Sequence, residues 1–250
     1  MRYVAYILLF VFTTSVYSQA FIFEEHFNDT RLNETYWNYD LGDGCPQLCG
    51  WGNDERQIYT KENIELKDGK LIITAIKKDD VYTSGKITSK DKIEFQYGTI
   101  EVRAQISDGY GLWPAIWMLG EDISEVGWPD CGEIDIMEYI GREPHTIYNS
   151  LHTRQSFGNT LNSKKTTVNT IEEGFHVFKS IWTKDKIDFY IDDQLAYTYE
   201  PEIKNKKNWP FNKPFYLIIN LAIGGNFGGP KVDDSIFPKK FIIDYIRVSK

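Results

Sequence analysis

Three carboxylic acids stand close together in an otherwise apolar stretch of the chain, residues 131–139. They are Glu133, Asp135 and Glu138, which fall within six consecutive residues. Apolar residues alternate with the first two acids, and this alternation predicts a β-strand. On a regular strand, Glu133 and Asp135 point to the same face, roughly 6–7 Å apart along the chain.

Glu138 has the opposite parity, so on a regular strand its side chain would point to the other face. One extra residue in the strand returns it to the face of the first two acids. We therefore predict a β-bulge in which Ile136 and Met137 together oppose a single residue of the partner strand.

Acids placed so close together raise one another's pKa, because ionising both puts two like charges side by side. Glycoside hydrolysis uses this arrangement: one carboxylate attacks the anomeric carbon, while a second acid, held protonated, gives its proton to the leaving oxygen. The middle acid, Asp135, would then share a proton or a hydrogen bond with the nucleophile and tune it.

The three acids also allow other interpretations. They could form the outward charged face of an edge strand, or they could bind calcium, although an EF-hand loop has a different spacing and a central glycine. A nucleophilic serine or cysteine is disfavoured, because the sequence has no Gly-x-Ser-x-Gly elbow and Cys131 has no evident histidine partner.

The elements that position these acids are strands. Residues 99–106 alternate between apolar and polar side chains, and so does Ile187–Ile191. A turn over residues 192–194 connects the latter to a partner strand ending at Tyr199. Further strand candidates are residues 71–76, 115–119, 175–182, 215–222 and 241–248. Many short strands with turns between them, and no long helical period, predict an all-β sandwich or barrel. A polar, aromatic face of such a sandwich forms a groove that suits a polymer.

The N-terminus predicts secretion. A basic start, an apolar run over residues 4–12 and small or polar residues up to Ala20 form the pattern of a signal peptide. We predict cleavage after Ser18, with Ala20 as the alternative, which leaves one domain over residues 19–250. The apolar run is too short for a membrane anchor, so we expect no membrane attachment after cleavage.

Charge and cysteine content restrict the function further. A net charge of −8 argues against nucleic acid and against polyanionic substrates, because both would be repelled. The three cysteines are Cys45, Cys49 and Cys131, and we expect one disulfide whose partners the sequence does not assign. Cys45 and Cys49 have no second Cys or His pair at the spacing of a zinc site.

An ordered series of motifs resembles glycoside hydrolase family 16, and within it the laminarinase-type endo-β-1,3-glucanases. Trp-Gly-Asn-Asp-Glu-Arg-Gln-Ile-Tyr-Thr stands at residues 51–60, and Trp-Pro-Asp-Cys-Gly at residues 128–132 leads into the three acids. Two residues between Asp135 and Glu138 resemble the laminarinase branch, whereas lichenase-like members have one. The other matching segments are residues 23–28, 83–85, 97–104, 111–119, 151–152, 220–225 and 244–248.

This resemblance implies a β-jelly-roll sandwich of two antiparallel sheets, with a substrate cleft on its concave face. It implies a retaining mechanism in which Glu133 is the nucleophile, Glu138 the acid/base and Asp135 the assisting residue. No cofactor is expected for catalysis. A structural calcium on the convex face would be held by Glu24 and Asp244, although His26 stands where many relatives carry an acid.

The same resemblance, together with side-chain chemistry, identifies candidate sugar-binding residues. Tryptophans offer flat apolar faces to pyranose rings, although core packing is an equal alternative for Trp117. Arg103 is alternatively a solvated strand charge, and His152 a structural histidine. The candidates are Trp113, Trp117, Trp128, Asn53, Glu55, Arg103, His152 and Asn220.

We therefore expect a secreted, monomeric enzyme that cuts β-1,3-glucan internally, with mixed β-1,3/1,4-glucan as a further substrate. The alternatives are a non-catalytic β-glucan recognition protein, which would be expected to lack one of the acids, and a hydrolase of another marine galactan on the same fold.

Overall fold

A computed structural model describes residues 20–250, so the predicted signal peptide, residues 1–18, lies outside the described residues. The described chain consists mainly of strands, and its helices are single turns. The strands are β1 (Phe21–Glu25), β2 (Asn38–Tyr39), β3 (Gln57–Tyr59), β4 (Ile64–Leu66), β5 (Leu71–Lys78), β6 (Val81–Ser84), β7 (Lys86–Thr88), β8 (Gly98–Gln105), β9 (Leu112–Gly120), β10 (Glu133–Tyr139), β11 (Thr146–His152), β12 (Ser163–Thr167), β13 (His176–Trp182), β14 (Ile187–Ile191), β15 (Gln194–Tyr199), β16 (Phe215–Ile223) and β17 (Lys239–Ser249). The helical turns are α1 (Ile123–Val126) and α2 (Gly225–Gly228), with 3-10 turns at Cys49–Gly52, Lys61–Asn63 and Asp234–Ile236.

These strands form two sheets packed face to face. Sheet A has ten strands in the order β15-β14-β13-β8-β17-β5-β6-β3, with β1 against β17 and β4 against β5. Sheet B has seven strands in the order β12-β11-β10-β9-β16-β7-β2. Adjacent strands run antiparallel, whereas β3 and β6 are parallel. One apolar core fills the space between the sheets. The predicted all-β jelly-roll sandwich is confirmed.

Local sequence explains why individual strands form where they do. In β8, Ile100, Val102 and Ala104 are fully buried in the core, while the residues between them are partly exposed. The predicted turn between β14 and β15 consists of Asp192 and Asp193, with φ angles of 49° and 63°, while Gln194, also predicted in the turn, begins β15. Left-handed residues match the twist of a two-residue hairpin, and aspartate adopts this conformation more readily than most residues.

The cysteines divide into one pair and one isolated thiol. Cys45 and Cys49 form a disulfide, and Cys131 is free and buried. Burial raises the pKa of the Cys131 thiol to about 12, which keeps it protonated and unreactive as a nucleophile. No helix within residues 20–250 has the length and apolar character needed to cross a bilayer.

Candidate active site

The predicted β-bulge lies in the middle of β10. The register with β9 moves by one residue between Asp135 and Met137, which leaves Ile116 to oppose both Ile136 and Met137. The register with β11 is irregular over the same stretch, between Asp135 and Glu138. The prediction of two residues opposite one partner residue is therefore confirmed.

The bulge distributes the side chains of β10 between the two faces of sheet B. Ile136 and Met137 are both fully buried in the core between the sheets. Glu133, Asp135 and Glu138 lie on the opposite face, close enough for the charges of the first two acids to act on the third. A regular strand could not place all three there, because its side chains alternate strictly.

Burial controls the protonation of the last acid of the trio. Burial raises the pKa of Glu138 well above its usual value, and the charges of Asp135 and Glu133 act in the same direction. A hydrogen bond of 3.1 Å from Nε1 of Trp113 to Oε1 of Glu138 acts in the opposite direction, because it stabilises the ionised form. The net effect raises the pKa of Glu138, so this residue retains its proton at a pH where an exposed glutamate has lost it.

The pKa of Asp135 is also raised. Burial raises its pKa well above the usual value, and both the charge of Glu133 and a hydrogen bond with Glu133 raise it further. A protonated Asp135 can donate to the carboxylate of Glu133. This is the proton sharing that the sequence predicted for the middle acid.

His152, on β11, closes the site beside Asp135. Its Nε2 lies 3.2 Å from Oδ2 of Asp135. The backbone N–H of Gly158 donates to Nδ1 of the same ring, at 3.1 Å. Because Nδ1 accepts this bond, the ring proton lies on Nε2, the nitrogen beside Asp135.

Glu133, Asp135 and His152 also form a possible metal-binding group, since their ligand atoms all lie within 4.8 Å of one another. Two contacts argue against it. A metal-binding histidine donates its second ring N–H to a neighbour, whereas Nδ1 of His152 accepts and the proton on Nε2 blocks ligation. Glu133 already accepts a bond of 2.5 Å from Nε1 of Trp128.

The three predicted tryptophans all lie on the face that carries the acids. Trp113 bonds Glu138, and Trp128, which is 45% exposed, bonds Glu133. Trp117 is partly exposed, and its Nε1 donates to Oδ1 of Asn220 at 2.7 Å, so its side chain is not part of the main core. We call the face of sheet B that these three indoles share with the acids the trough.

A hydrogen-bonded network extends along this trough beside β16. Asn220 donates to the hydroxyl of Tyr59 at 3.0 Å, and Tyr59 donates to Oε2 of Glu55 at 3.2 Å. Glu55 also accepts from Asn53 at 3.3 Å and from Gln57 at 2.6 Å. Burial raises the pKa of Glu55, while the bond from Gln57 lowers it. The predicted residues Asn53, Glu55 and Asn220 are thus brought together by Tyr59 and Gln57, which the sequence analysis did not identify.

The structure adds a buried cation to the trough. Nζ of Lys86 lies 2.9 Å from Oδ2 of Asp40 and 3.7 Å from the centre of the Trp51 ring. Lys86 pairs with Asn220 across β7 and β16 and is only 7% exposed. In the sequence, Lys86 directly follows residues 83–85, which resemble the family, and this position could have identified it as a site residue.

Aromatic side chains extend the trough at both ends. Phe157 packs edge-on against Trp128 with ring centres 5.4 Å apart, and both rings are about half exposed. Phe227 packs edge-on against Trp113 at 5.3 Å and against Tyr148 at 4.9 Å. Phe157 lies after residues 151–152, outside the segments that resemble the family. No motif in its neighbourhood indicated its position.

The placement of Arg103 in the cleft is wrong. Arg103 lies on β8 in sheet A, between Val177 and Tyr245 on the neighbouring strands, whereas the acids lie on sheet B. Its guanidinium forms an ion pair with Asp244 and packs over the ring of Phe175 at 4.6 Å. The alternation that puts Ala104 in the core directs Arg103 to the outer face of sheet A.

The residues predicted to hold calcium do not fit that ion. Asp244 is paired with Arg103, and Nζ of Lys70 lies 4.0 Å from its other oxygen. Glu24 lies 3.2 Å from Nε of Arg247 and 3.4 Å from Nε2 of His26. Calcium requires six to eight oxygen ligands, and here cationic side chains already neutralise both carboxylates.

Together, the two-sheet sandwich, the three acids on one strand and the aromatic trough define a glycoside hydrolase. Residues 51–246 match glycosyl hydrolases family 16, and the chain belongs to this family. It is 57% identical to a laminarinase from Flavobacterium sp. UMI-01, whose crystal structure superposes with a TM-score of 0.91 over 92% of this chain and 100% of that one.

Two longer relatives have different activities in their names. The chain is 37% identical, over 92% of its length, to glucan endo-1,3-beta-glucosidase A1 of Niallia circulans. It is 40% identical, over 97% of its length, to keratan-sulfate endo-1,4-beta-galactosidase of Sphingobacterium multivorum. The chain spans 37% and 58% of the lengths of these two relatives.

Proposed function

We propose that this chain hydrolyses β-1,3-glucan at internal bonds, with retention of configuration at the anomeric carbon. The observation that carries the proposal is the bulge in β10, which places Glu133, Asp135 and Glu138 on one face, where burial raises the pKa of Glu138. A retaining glycosidase needs one ionised and one protonated carboxyl group on the two sides of the scissile bond.

Each acid has a role that follows from its surroundings. Glu133 attacks the anomeric carbon, while Glu138 gives its proton to the departing glycosidic oxygen, which leaves a covalent glycosyl-enzyme and an ionised Glu138. Glu138 then removes a proton from water, and the water oxygen displaces Glu133 from the anomeric carbon. When protonated, Asp135 donates a hydrogen bond to Glu133 and so orients the Glu133 carboxylate.

Support for a β-glucan substrate comes from the trough and from the relatives. Indole rings beside the acids provide apolar faces for neutral pyranose rings. The solved relative is named a laminarinase, and one longer relative a glucan endo-1,3-beta-glucosidase. We extend the proposal to mixed β-1,3/1,4-glucan, because another relative, from Rhizobium meliloti, is named an endo-1,3-1,4-beta-glycanase.

Hydrolysis of a sulfated galactan is the alternative suggested by the keratan-sulfate relative. It would need a free cation in the trough to bind sulfate. The charge of Lys86 is already balanced by Asp40. We therefore favour the neutral glucan.

The test is the release of reducing ends from laminarin, curdlan, lichenan and keratan sulfate in parallel. We expect turnover of laminarin that Glu133→Gln abolishes, and that the matched variant Glu65→Gln, on an exposed position of β4, leaves intact. NMR of the first product should show the β-anomer. Binding of curdlan without hydrolysis would favour a recognition protein, and preferential cleavage of keratan sulfate would favour the galactan alternative.

We further propose that the protein is secreted as a monomer after cleavage at Ser18. The N-terminal pattern supports export, and the Cys45–Cys49 disulfide suits an oxidising compartment. Mass spectrometry of the protein from the culture medium, with light scattering of the same sample, tests the N-terminus and the oligomeric state. Calcium is not part of the proposal, because its predicted ligands are paired with cations.

A further inference from the structure

The bulge that aligns the acids interrupts the regular ladder between β10 and β11. Asp135 pairs with Ser150 on β11 and Glu138 pairs with Tyr148, so Asn149 alone stands opposite Ile136 and Met137. Two residues cannot both pair with the backbone of one residue. A carbonyl oxygen left without a donor at this depth would be costly.

The side chain of Asn149 supplies the missing donor. Its Nδ2 donates to the carbonyl oxygen of Ile136 at 2.7 Å, and the residue is fully buried. Within residues 20–250, its Oδ1 has no hydrogen-bond partner. Burying an amide that is only half satisfied is unfavourable, so a position that served only core packing would be better filled by an apolar residue.

We infer that Asn149 is a positioning residue that holds the bulge of β10 and so keeps Glu138 on the catalytic face. This inference rests on the proposed glycosidase function. Glu138 lies two residues beyond the carbonyl that Asn149 holds, and the indole of Trp113 holds its carboxyl group from the trough side. Without the amide, the strand between Asp135 and Glu138 can change its register or tilt, which displaces the acid.

Asn149→Leu tests the inference, because leucine has nearly the same shape and lacks the donor. The variant leaves the carbonyl oxygen of Ile136 without its donor, but it also removes the unsatisfied Oδ1. Because these two effects oppose each other, we expect a melting temperature within a few degrees of the wild type. A displacement of about 1 Å at a catalytic group costs on the order of 100-fold. We therefore expect kcat/KM for laminarin to fall about 10- to 100-fold.

A substrate with an activated leaving group separates loss of the acid from general damage. Departure of 2,4-dinitrophenolate from an aryl β-laminaribioside needs no proton from Glu138, and kcat/KM reports this first step. We expect Asn149→Leu to keep kcat/KM for the aryl substrate within about threefold of the wild type, because the positioning of Glu133 is unchanged.

The matched control is Asn63→Leu. Asn63 is also buried, and it donates to the backbone oxygen of Thr74 at 2.6 Å on the sheet A side of the molecule. This variant should cleave both substrates at the wild-type rate. If Asn149→Leu fails to fold, Asn149→Ala, which cannot overfill the site, should show the same difference between substrates.

The outcomes are distinct. Wild-type rates on laminarin in a folded Asn149 variant, or equal losses on both substrates, would overturn the inference while leaving the proposed function in place. A wild-type protein that cleaves neither substrate would refute the proposed function, and the positioning role with it.

Discussion

Replacing Trp113 with phenylalanine changes one hydrogen bond to the proton donor. Nε1 of Trp113 donates to Oε1 of Glu138 at 3.1 Å, and this bond lowers the pKa of a carboxyl group that burial raises. Phenylalanine keeps an aromatic ring and lacks the N–H. Glu138 in the variant therefore holds its proton to a higher pH than in the wild type.

The magnitude follows from the strength of such bonds. A hydrogen bond to an ionised group contributes about 1.5–3 kcal/mol. Two effects reduce this value: the indole is partly exposed, and Glu138 also accepts the bond when it is protonated. The bond therefore stabilises ionised Glu138 over protonated Glu138 by about 1 kcal/mol. Because about 1.4 kcal/mol corresponds to a factor of ten, the ratio of protonated to ionised Glu138 rises about fivefold in the variant.

The assay is the pH profile of kcat/KM on laminarin, normalised to its maximum for each protein. Loss of activity at high pH reports ionisation of the acid in the free enzyme. On this basic limb, Trp113→Phe should keep about five times more of its maximal activity than the wild type at the same pH. The maximum itself should fall, because the indole also lines the trough.

Trp117→Phe is the matched control, since its N–H bonds Asn220 and not a carboxylate. Its basic limb should coincide with that of the wild type. A basic limb that stays in place or moves to lower pH in Trp113→Phe would show that the indole does not stabilise ionised Glu138, and the argument would fail.

Other consequences can be measured separately. The pKa of Glu138 is higher in the folded protein than in the unfolded chain, where it is about 4.3. The stabilisation from protonated Glu138 is therefore complete below the unfolded pKa and is lost as pH rises through the folded pKa. Glu138→Gln should therefore melt above the wild type at pH 8 and together with it at pH 4, and equal melting temperatures at both would contradict this. Arg103→Met should leave kcat/KM on laminarin within about twofold of the wild type, because Arg103 lies on the other sheet. A tenfold loss would show that Arg103 does contribute to the cleft. Millimolar calcium or a chelator should shift the melting temperature by less than about 1 °C, since a bound structural ion would stabilise by several degrees. Phe157→Ala should raise KM about threefold with kcat little changed, because it removes an edge-to-face contact with Trp128 worth about 0.5–1.5 kcal/mol; an unchanged KM would place the sugar elsewhere.

The strand-based part of the site was predictable because it depends on local periodicity. The alternation in residues 131–139 fixed the faces of Glu133 and Asp135, and the parity of Glu138 required the bulge between them. The turn at Asp192 and Asp193 was predictable for the same reason, since turn chemistry is a property of neighbouring residues.

Arg103 shows where the same reasoning fails. Its position on the polar side of an alternating strand was identified correctly, and residues 97–104 resemble the family. Alternation says that a side chain leaves the core, but not which of the two sheets carries the strand. Pairing of β8 with β13 and β17 placed Arg103 on the sheet opposite the acids.

By itself, the sequence determined that three acids share one face of a bulged strand and that this strand belongs to an all-β fold. Both follow from the two-residue period of a strand, which nearby residues set. Only the tertiary structure decided which groups surround the acids. Asn220 bonds Trp117 across 103 positions of sequence, and Lys86 and Phe157 reach the trough from other strands and loops. Such neighbours depend on the order of strands in the sheet, which packing over the whole chain establishes.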